Sequence, residues 1–399
     1  MRLFPKRRYY FDYASAAPVT PKALRAFRRA SISYGNPGSP HEEGRKAKEI
    51  LEGARGTIAR LAGVKSDGVI FTSGATESNA LAIEGLIAGL EAKGTKRSDM
   101  HVLYLPTSHA SLVETVQALS VSGVEVESLV LADGKVAVKK LQKQIKPETV
   151  LVAMDTVCGE TGTRFDTRDI RTVLTQATKG TGHHIYLHVD ATQMPYSESI
   201  QLDRLSADSL TLDAQKIGGV RGIGTLIHAR NVPLRGIVHG GGQEGGLRSG
   251  TPAHALASAF AQALLECDKE KEGFVVRALR ARTYLTETLT KSISNVTVNE
   301  GKENTPHILN LSIAGRDTDY LQALLDTDGF AVSTRSACET DSTGSRVVLA
   351  LTGNADRASS TLRISWGKNT SSRAFKKLAD AIIKEVVFLD GTTNARLDI

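Results

Sequence analysis

The feature that most constrains the fold is a regular alternation of short apolar runs with amphipathic helical segments. One of these helical segments carries Ala47, Leu51, Ala54 and Ile58 at helical spacing. The apolar runs, which predict strands, are residues 69–72, 102–105, 124–131, 150–154, 185–189, 209–212 and 225–227. Helices or loops separate most of them, which is typical of an α/β domain built on a mostly parallel sheet.

The pattern changes after about residue 260. A charged helical stretch covers residues 261–292, and strand-like runs follow at 308–313 and 362–366. A final helix carries Phe375, Leu378, Ile382, Val386 and Leu389 on one face. We therefore predict two domains, a large one over residues 15–260 and a smaller α+β one from residues 1–14 and 261–399, as the length of 399 residues favours.

Composition excludes several classes of protein. The net charge of +7 comes from 50 basic and 43 acidic side chains that are interspersed, so it does not by itself indicate a nucleic-acid patch. We see no secretory signal and no run of the ~20 apolar residues that a membrane helix needs. The three cysteines and the histidines lack metal-ligand spacing, and so sparse a cysteine count favours a reducing compartment over a disulfide framework.

Polar residues that follow the predicted strands are the candidates for chemistry, because sites in open α/β sheets lie beyond the carboxyl ends of strands. The turn at residues 73–76 opens a helix, where a phosphate could bind. Asp190 either caps the next segment or pairs with a protonated ring nitrogen. Lys216 is either a surface residue or, in a dry site, a Schiff-base amine. With a ring-stacking side chain such as His109, these are the parts of a pyridoxal 5′-phosphate (PLP) site.

The chain resembles the cysteine desulfurase family of class V, fold-type I PLP enzymes over nearly its whole length. The segments that carry the resemblance are residues 10–14 (Tyr-Phe-Asp-Tyr-Ala), 34–37 (Tyr-Gly-Asn-Pro), 71–79 (Phe-Thr-Ser-Gly-Ala-Thr-Glu-Ser-Asn), 188–193 (His-Val-Asp-Ala-Thr-Gln), 239–244 (His-Gly-Gly-Gly-Gln-Glu), 247–251 (Leu-Arg-Ser-Gly-Thr), 336–338 (Ser-Ala-Cys) and 362–365 (Leu-Arg-Ile-Ser). The resemblance implies a large, mostly parallel α/β/α domain that binds PLP and a smaller α+β C-terminal domain.

The resemblance also implies a role for each matching residue. Ala75 and Thr76 would hold the phosphate, with Thr251 reaching in from a second subunit. His109 would stack on the ring, Asp190 would pair with the ring nitrogen, and Gln193 would bond the ring oxygen. Lys216 would hold the cofactor and move protons, Asn36 and Arg363 would bind the substrate, and Cys338 would attack the substrate sulfur. Lys216, Cys338 and His109 would be the catalytic residues, and no metal is expected.

The expected reaction converts L-cysteine to L-alanine and leaves a persulfide on Cys338. The resemblance implies a homodimer that supplies sulfur for iron–sulfur cluster assembly or tRNA thiolation, and the sparse cysteines predict a cytoplasmic location. Its partners would be an iron–sulfur scaffold or another sulfur-acceptor protein, with no membrane and with nucleic acid involved only indirectly. The alternatives are a selenocysteine lyase, another class V PLP reaction, or a weakened homologue that acts as a scaffold.

Three departures from the family pattern motivate those alternatives. The family's Ser-x-His before the lysine is replaced by Asp213 and Gln215, which predicts weaker PLP binding or a rearranged phosphate cup. Gly159 replaces a side chain that normally contacts cofactor and substrate, and residues 245–246 are both glycine, which loosens a loop. Cys158, beside Gly159, either fills space, which we favour, or is an additional thiol at the site.

Overall fold

The structure is a computed structural model that describes residues 7–334 and 344–397. The chain forms two compact units. The larger unit comprises Ala17–Val157 and Phe165–Lys271, and the smaller comprises the described residues up to Ala16, Cys158–Arg164 and the described residues from Glu272 onward. The sequence pattern did not set the segment 158–164 apart. The division into a large domain over residues 15–260 and a small domain from residues 1–14 and 261–399 stays a prediction.

The secondary structure is as follows. The helices are α1 Pro21–Ser31, α2 Glu42–Ala62, α3 Ala75–Glu91, α4 Ala110–Leu119, α5 Val138–Gln144, α6 Thr167–Thr181, α7 Leu202–Leu205, α8 His254–Ser292, α9 Thr318–Thr327, α10 Arg346–Thr352, α11 Ala355–Ser359 and α12 Ser372–Leu397. The strands are β1 Tyr9–Tyr10, β2 Val69–Thr72, β3 His101–Tyr104, β4 Glu125–Ser128, β5 Leu131–Ala132, β6 Lys135–Val136, β7 Thr149–Asp155, β8 Tyr186–Asp190, β9 Ser209–Asp213, β10 Gly224–His228, β11 Val296–Val298, β12 Ile308–Ile313, β13 Phe330–Ala331 and β14 Thr361–Ser365.

The larger unit is built on a seven-stranded sheet, counted over the residues that the structure describes, in the order β2-β10-β9-β8-β7-β3-β4. Within this sheet β10 runs opposite to the other six strands, which are parallel to one another. The predicted mostly parallel α/β sheet is therefore confirmed. Strands β2, β7 and β9 are buried along their whole length, because helices cover both faces of such a sheet. For this reason the sequences of β2 and β7 are almost continuous apolar runs and do not alternate between apolar and polar residues.

The core of the larger unit lies where α3 and α4 pack on the sheet. Ile83, Leu86 and Ile87 of α3 contact a cluster that includes Val102 and Leu112, and these side chains are essentially inaccessible. Burying a side chain of this size stabilises the fold by about 1.5–3 kcal/mol. This packing fixes the start of α3 at the carboxyl end of β2, which is where the candidate site lies.

The smaller unit contains a three-stranded antiparallel sheet, β11-β12-β14. The predicted apolar face of α12 is buried, and its Phe375 meets Trp366 and Phe11 edge to face at 5.3 and 5.4 Å. Strand β1 pairs with β13, so the N-terminal residues from Tyr9 belong to this unit. Within the described residues, no helix is long and apolar enough to cross a membrane.

A buried ion pair ties the loop after β10 to helix α2, and a hydrogen bond ties the same loop to strand β2. Both Nη atoms of Arg55 bond the Glu244 carboxylate at 2.7 and 2.8 Å, and the Phe71 N–H donates to the same carboxylate at 2.9 Å. The Glu244 side chain is only 3% exposed, whereas Glu52, the second acid on Arg55, is 47% exposed. Removing one partner of such a buried pair leaves the other charge uncompensated.

We expect Glu244→Gln to lower the free energy of unfolding of the whole chain by about 3 kcal/mol, because Arg55 then keeps only an exposed partner. Glu52→Gln is the matched control and should cost less than about 1 kcal/mol, because exposed ion pairs contribute little. Urea unfolding of the two variants measures the difference. Equal losses would show that the burial of Glu244 does not set the strength of the pair.

Candidate active site

The turn between β2 and α3 has a tight backbone environment. A Cβ at Gly224, the first residue of β10, would lie 2.6 Å from the backbone of Gly74, so only glycine allows β10 to pass this turn. The first N–H groups of α3 have no partner within the helix and face the carboxyl end of the sheet. Ala75 and Thr76, the predicted phosphate ligands, therefore begin a helix whose N-terminal end attracts negative charge.

Asp213, at the end of β9, already bonds this helix end. Its Oδ2 accepts the Ala75 N–H at 3.0 Å, and its Oδ1 accepts the Gln215 N–H at 2.9 Å. Burial raises the pKa of the Asp213 carboxyl above its ordinary value. These two N–H groups and the positive charge of Lys216 oppose the rise, and the negative charge of Asp190 adds to it. Asp213, Lys216 and Asp190 therefore act on one another electrostatically within one site.

Asp190 ends β8 and is held by donors that carry no charge. The Asn79 Nδ2 donates to its Oδ2 at 2.8 Å, and the Thr192 N–H donates to its Oδ1 at 3.0 Å. The residue is only 4% exposed, and among the residues described no cationic side chain forms an ion pair with it. A carboxylate buried in this way is costly unless it meets a cation or a further donor. It is therefore suited to bind a protonated ligand.

A second tier of side chains fixes the orientation of Asp190. Because Asn79 donates its amide hydrogens to Asp190 and Ser111, its Oδ1 accepts from the His188 Nε2 at 3.1 Å. The His188 Nδ1 then accepts from the Ser209 hydroxyl at 2.9 Å. Burial lowers the pKa of His188 to about 4, so the imidazole is neutral at neutral pH and keeps this tautomer. The network holds one carboxylate rotamer toward the site.

His109 caps the N-terminus of α4 and is exposed. Its Nδ1 lies 2.9 Å from the Ser111 hydroxyl, which in turn bonds Asn79, so His109 belongs to the same network as Asp190. Gln193 is buried in the turn after β8, and Lys216 is half-buried in a short 3₁₀ turn after β9. The carboxyl ends of β2, β8 and β9 thus supply the predicted residues 75, 76, 190, 193 and 216.

Asn36 and Thr251 are the two remaining predicted site residues of the larger unit. Both are exposed, and the Asn36 Oδ1 accepts the Gly38 N–H at 2.9 Å. Asn36 lines a cavity of about 540 Å³ together with Gln243 and Glu244, and none of Asp190, Asp213 and Lys216 lines it. The roles of Asn36 in substrate binding and of Thr251 across a dimer stay predictions.

In the smaller unit, Arg363 lies on β14 and is 3% exposed. Its Nη2 donates to the Asp12 carboxylate at 2.9 Å and to the Ser15 hydroxyl at 2.6 Å, and its Nη1 donates to the Gly159 carbonyl at 3.1 Å. Its Nε–H has no partner within the described part of the chain. Gly159, which offers no side chain, thus contacts the predicted substrate-binding arginine through its backbone.

The neighbours of Gly159 are buried. Cys158 is 1% exposed, which fits the interpretation that it fills space. The Glu160 carboxylate accepts from the hydroxyl of Ser345, the N-cap of α10, and the Asn310 amide donates to the Glu160 carbonyl at 3.2 Å. The predicted nucleophile Cys338 lies outside the described residues. Within those residues, no cluster of His, Cys, Asp and Glu has the make-up of a metal site.

Asn79, Ser111 and His188 were missed as site residues by the sequence analysis. His188 stands two residues before Asp190 on the same strand, so both side chains point to one face, and that spacing was an available signal. Asn79 lies one helical turn after Ala75 and is fully buried, although it is polar. Its pairing with Asp190, 111 residues away, has no counterpart in local sequence.

The fold and this site define a class. Residues 9–378 match the family model described as aminotransferase class-V, so the chain belongs to that family. Within the family the curated relatives place it among the cysteine desulfurases. It is 31% identical over 385 residues to the cysteine desulfurase IscS of Dictyoglomus turgidum, with 94% of each chain covered. The resemblance seen in the sequence is confirmed.

Two further comparisons agree. The chain is 32% identical to the mitosomal cysteine desulfurase of Encephalitozoon cuniculi, covering 95% of this chain and 87% of that one. A solved structure titled as a NifS-like protein superposes with a TM-score of 0.87 at 27% identity, and it covers 96% of this chain and 100% of its own. The family assignment therefore applies to nearly the whole length of both partners in each comparison.

Proposed function

We propose that this chain is an active, PLP-dependent cysteine desulfurase that moves sulfur from L-cysteine onto Cys338. The observation that carries the proposal is the Asp190 carboxylate, which is buried, held by neutral donors and lacks a cationic partner within the described residues. The protonated ring nitrogen of PLP has the required positive charge. In PLP enzymes this nitrogen pairs with an aspartate in the same way. The donor set therefore fits the cofactor, apart from Asp213.

The residues that would hold PLP are those the resemblance implied. Asp190 would pair with the ring nitrogen, Gln193 would bond the ring oxygen and His109 would cover the ring. Ala75 and Thr76 would bind the phosphate, with Thr251 of a second copy completing the cup in a homodimer. When bound, PLP supplies an electron sink that stabilises negative charge at the substrate Cα.

The protein side chains would carry out the remaining steps. Lys216 would hold the cofactor and then act as general base and general acid, moving a proton from and back to Cα. Arg363 would bind the substrate carboxylate with the planar donor geometry that suits this group. The Cys338 thiolate would form an S–S bond to the substrate sulfur while the Cβ–S bond breaks. A proton replaces sulfur at Cβ, so the products are L-alanine and a Cys338 persulfide.

The persulfide would pass to an acceptor for iron–sulfur cluster assembly or tRNA thiolation. An iron–sulfur scaffold or another acceptor protein would take it directly, and tRNA would be reached only through such a protein. We place the reaction in a reducing compartment, the cytoplasm, because the Cys338 thiolate must stay reduced between turnovers.

The test is product formation from L-cysteine by the full chain, loaded with PLP and supplied with a reductant. Alanine and sulfide should appear in equal amounts. Without reductant, alkylation and mass spectrometry should find the persulfide on Cys338. If the chain forms alanine from selenocysteine or cysteine sulfinate but not from L-cysteine, another class V reaction is favoured. A chain that binds PLP but converts none of these substrates would contradict the proposal, and a scaffold role would then be favoured.

We expect Arg363→Lys to lower kcat/KM for L-cysteine by about 10- to 100-fold, mainly through KM, because a charged hydrogen-bond pair to the carboxylate is lost. Arg316→Lys is the matched control, since Arg316 makes a two-point pair with Asp390 at 2.9 Å in the same unit. Steady-state kinetics and urea unfolding separate the two effects. Lower stability with an unchanged KM would mean that Arg363 serves only to hold Asp12 and Ser15.

A further inference from the structure

The helix end predicted to bind the cofactor phosphate is already bonded by a carboxylate of the chain itself. Asp213 Oδ2 lies 3.0 Å from the Ala75 nitrogen, and a Cβ built on Gly74 would lie 3.3 Å from that same oxygen. Asp213 is 6% exposed, so water does not screen it well. A phosphate oxygen and the Asp213 carboxylate would compete for one donor and would repel each other.

Other charged groups near Asp213 modify this competition without removing it. On the helix side, Glu77 accepts the Ser73 N–H at 2.7 Å, but it is neutralised by Arg248 at 2.8 Å. On the neighbouring strand, Asp190 adds negative charge, and the amine of Lys216, which follows in the next turn, supplies positive charge. Gln215, at the position of the family's histidine, brings no charge. Asp213 is therefore the acid at this helix end that no arginine neutralises within the described residues.

We propose that Asp213 sets how strongly this chain binds the phosphate of PLP, by competing with the phosphate for the Ala75 N–H. The proposal rests on the assignment of PLP to this site. Its consequence is that the phosphate contributes little to cofactor affinity while Asp213 is ionised. The ring and the aldehyde, through Asp190 and Lys216, then supply most of the binding.

The competition depends on pH in a defined direction. The pKa of Asp213 is raised by burial, so the neutral form persists to higher pH than for an ordinary aspartate. A neutral carboxyl neither repels the phosphate nor holds the Ala75 N–H as strongly, and it can donate its own O–H to a phosphate oxygen. The contribution of the phosphate should therefore be largest at low pH and should fall as pH rises through the pKa of Asp213.

The experiment compares two cofactors that differ only in the phosphate. The dissociation constants of PLP and of pyridoxal are measured on the full-length apoprotein by absorbance, and the pyridoxal constant divided by the PLP constant gives the phosphate contribution alone. At pH 8 we expect Asp213→Ser to increase this ratio by about tenfold or more, through tighter PLP binding and unchanged pyridoxal binding. Asp213→Asn should shift it in the same direction, and inorganic phosphate should compete better with PLP in both variants.

Asp203→Ser is the matched control, because Asp203 is an exposed aspartate on α7 of the same unit. It should leave the ratio unchanged, and thermal unfolding checks that all variants are folded. An equal ratio in wild type and Asp213→Ser would overturn the proposal. PLP bound only by the Asp213 variants, and not by wild type, would support it strongly.

Failure of this proposal and failure of the proposed function give different results. Reduction with borohydride followed by mass spectrometry shows whether PLP or pyridoxal is attached to Lys216. Attachment to Lys216 with an unchanged ratio rejects only the role of Asp213. Absence of attachment in wild type and in both Asp213 variants rejects the PLP assignment and the role of Asp213 together.

Discussion

Replacing Lys216 with alanine is expected to lower sulfide release from L-cysteine by at least about 1000-fold, because the variant lacks both the amine that holds the cofactor and the proton carrier at Cα. Lys216 follows β9 directly, in a 3₁₀ turn next to Asp213, and it acts electrostatically on that carboxyl. No other lysine stands in this turn.

The measurement is alanine and sulfide production with PLP in excess, paired with borohydride reduction and mass spectrometry of the chain. Wild type should carry a reduced pyridoxyl group on Lys216, and the variant should carry none. Lys139→Ala is the matched control, because Lys139 is an exposed lysine on α5 of the same unit. Activity within tenfold of wild type in Lys216→Ala would contradict the assignment of the general base.

Cys338→Ser is expected to abolish persulfide formation and to lower sulfide release by at least about 1000-fold, while cofactor binding stays as in wild type. A serine hydroxyl is not ionised near neutral pH and is a poor nucleophile toward sulfur, whereas a thiolate attacks readily. The separation of cofactor binding from turnover is what distinguishes this variant from Lys216→Ala. It also excludes a general loss of folding as the cause.

The other two cysteines supply the controls for this experiment. Cys267 is buried on α8, where its thiol donates to the Ile217 carbonyl at 3.8 Å, and it has no role in the proposed reaction. Cys267→Ser should therefore keep most of the activity. Cys158 is buried, and Cys158→Ser should not remove the persulfide either. A persulfide that forms on Cys158 in the Cys338→Ser chain would contradict the choice of nucleophile.

Local pattern was sufficient to predict the sheet of the larger unit. Strands β2, β7, β8 and β9 bury both faces, so each is written as a run of apolar residues that a single sequence shows directly. Because these strands could be located in the sequence, the polar residues at or just after their ends, Asp190 and Lys216, could be chosen as candidates. Short or exposed strands were predicted less well: the run 124–131 divides into β4 at Glu125–Ser128 and a separate hairpin strand at Leu131–Ala132.

The sequence by itself therefore determined the class of fold, the family and the residue types at the site, because these follow from periodicity and from motifs that are contiguous along the chain. Tertiary structure alone decided which groups meet. Asp213 reaches Ala75 across 138 residues, Asn79 reaches Asp190 across 111, and Arg363 reaches Asp12 across 351. Hydrogen bonds form between atoms within about 3 Å of each other, and a one-dimensional pattern carries no record of such proximity between distant segments.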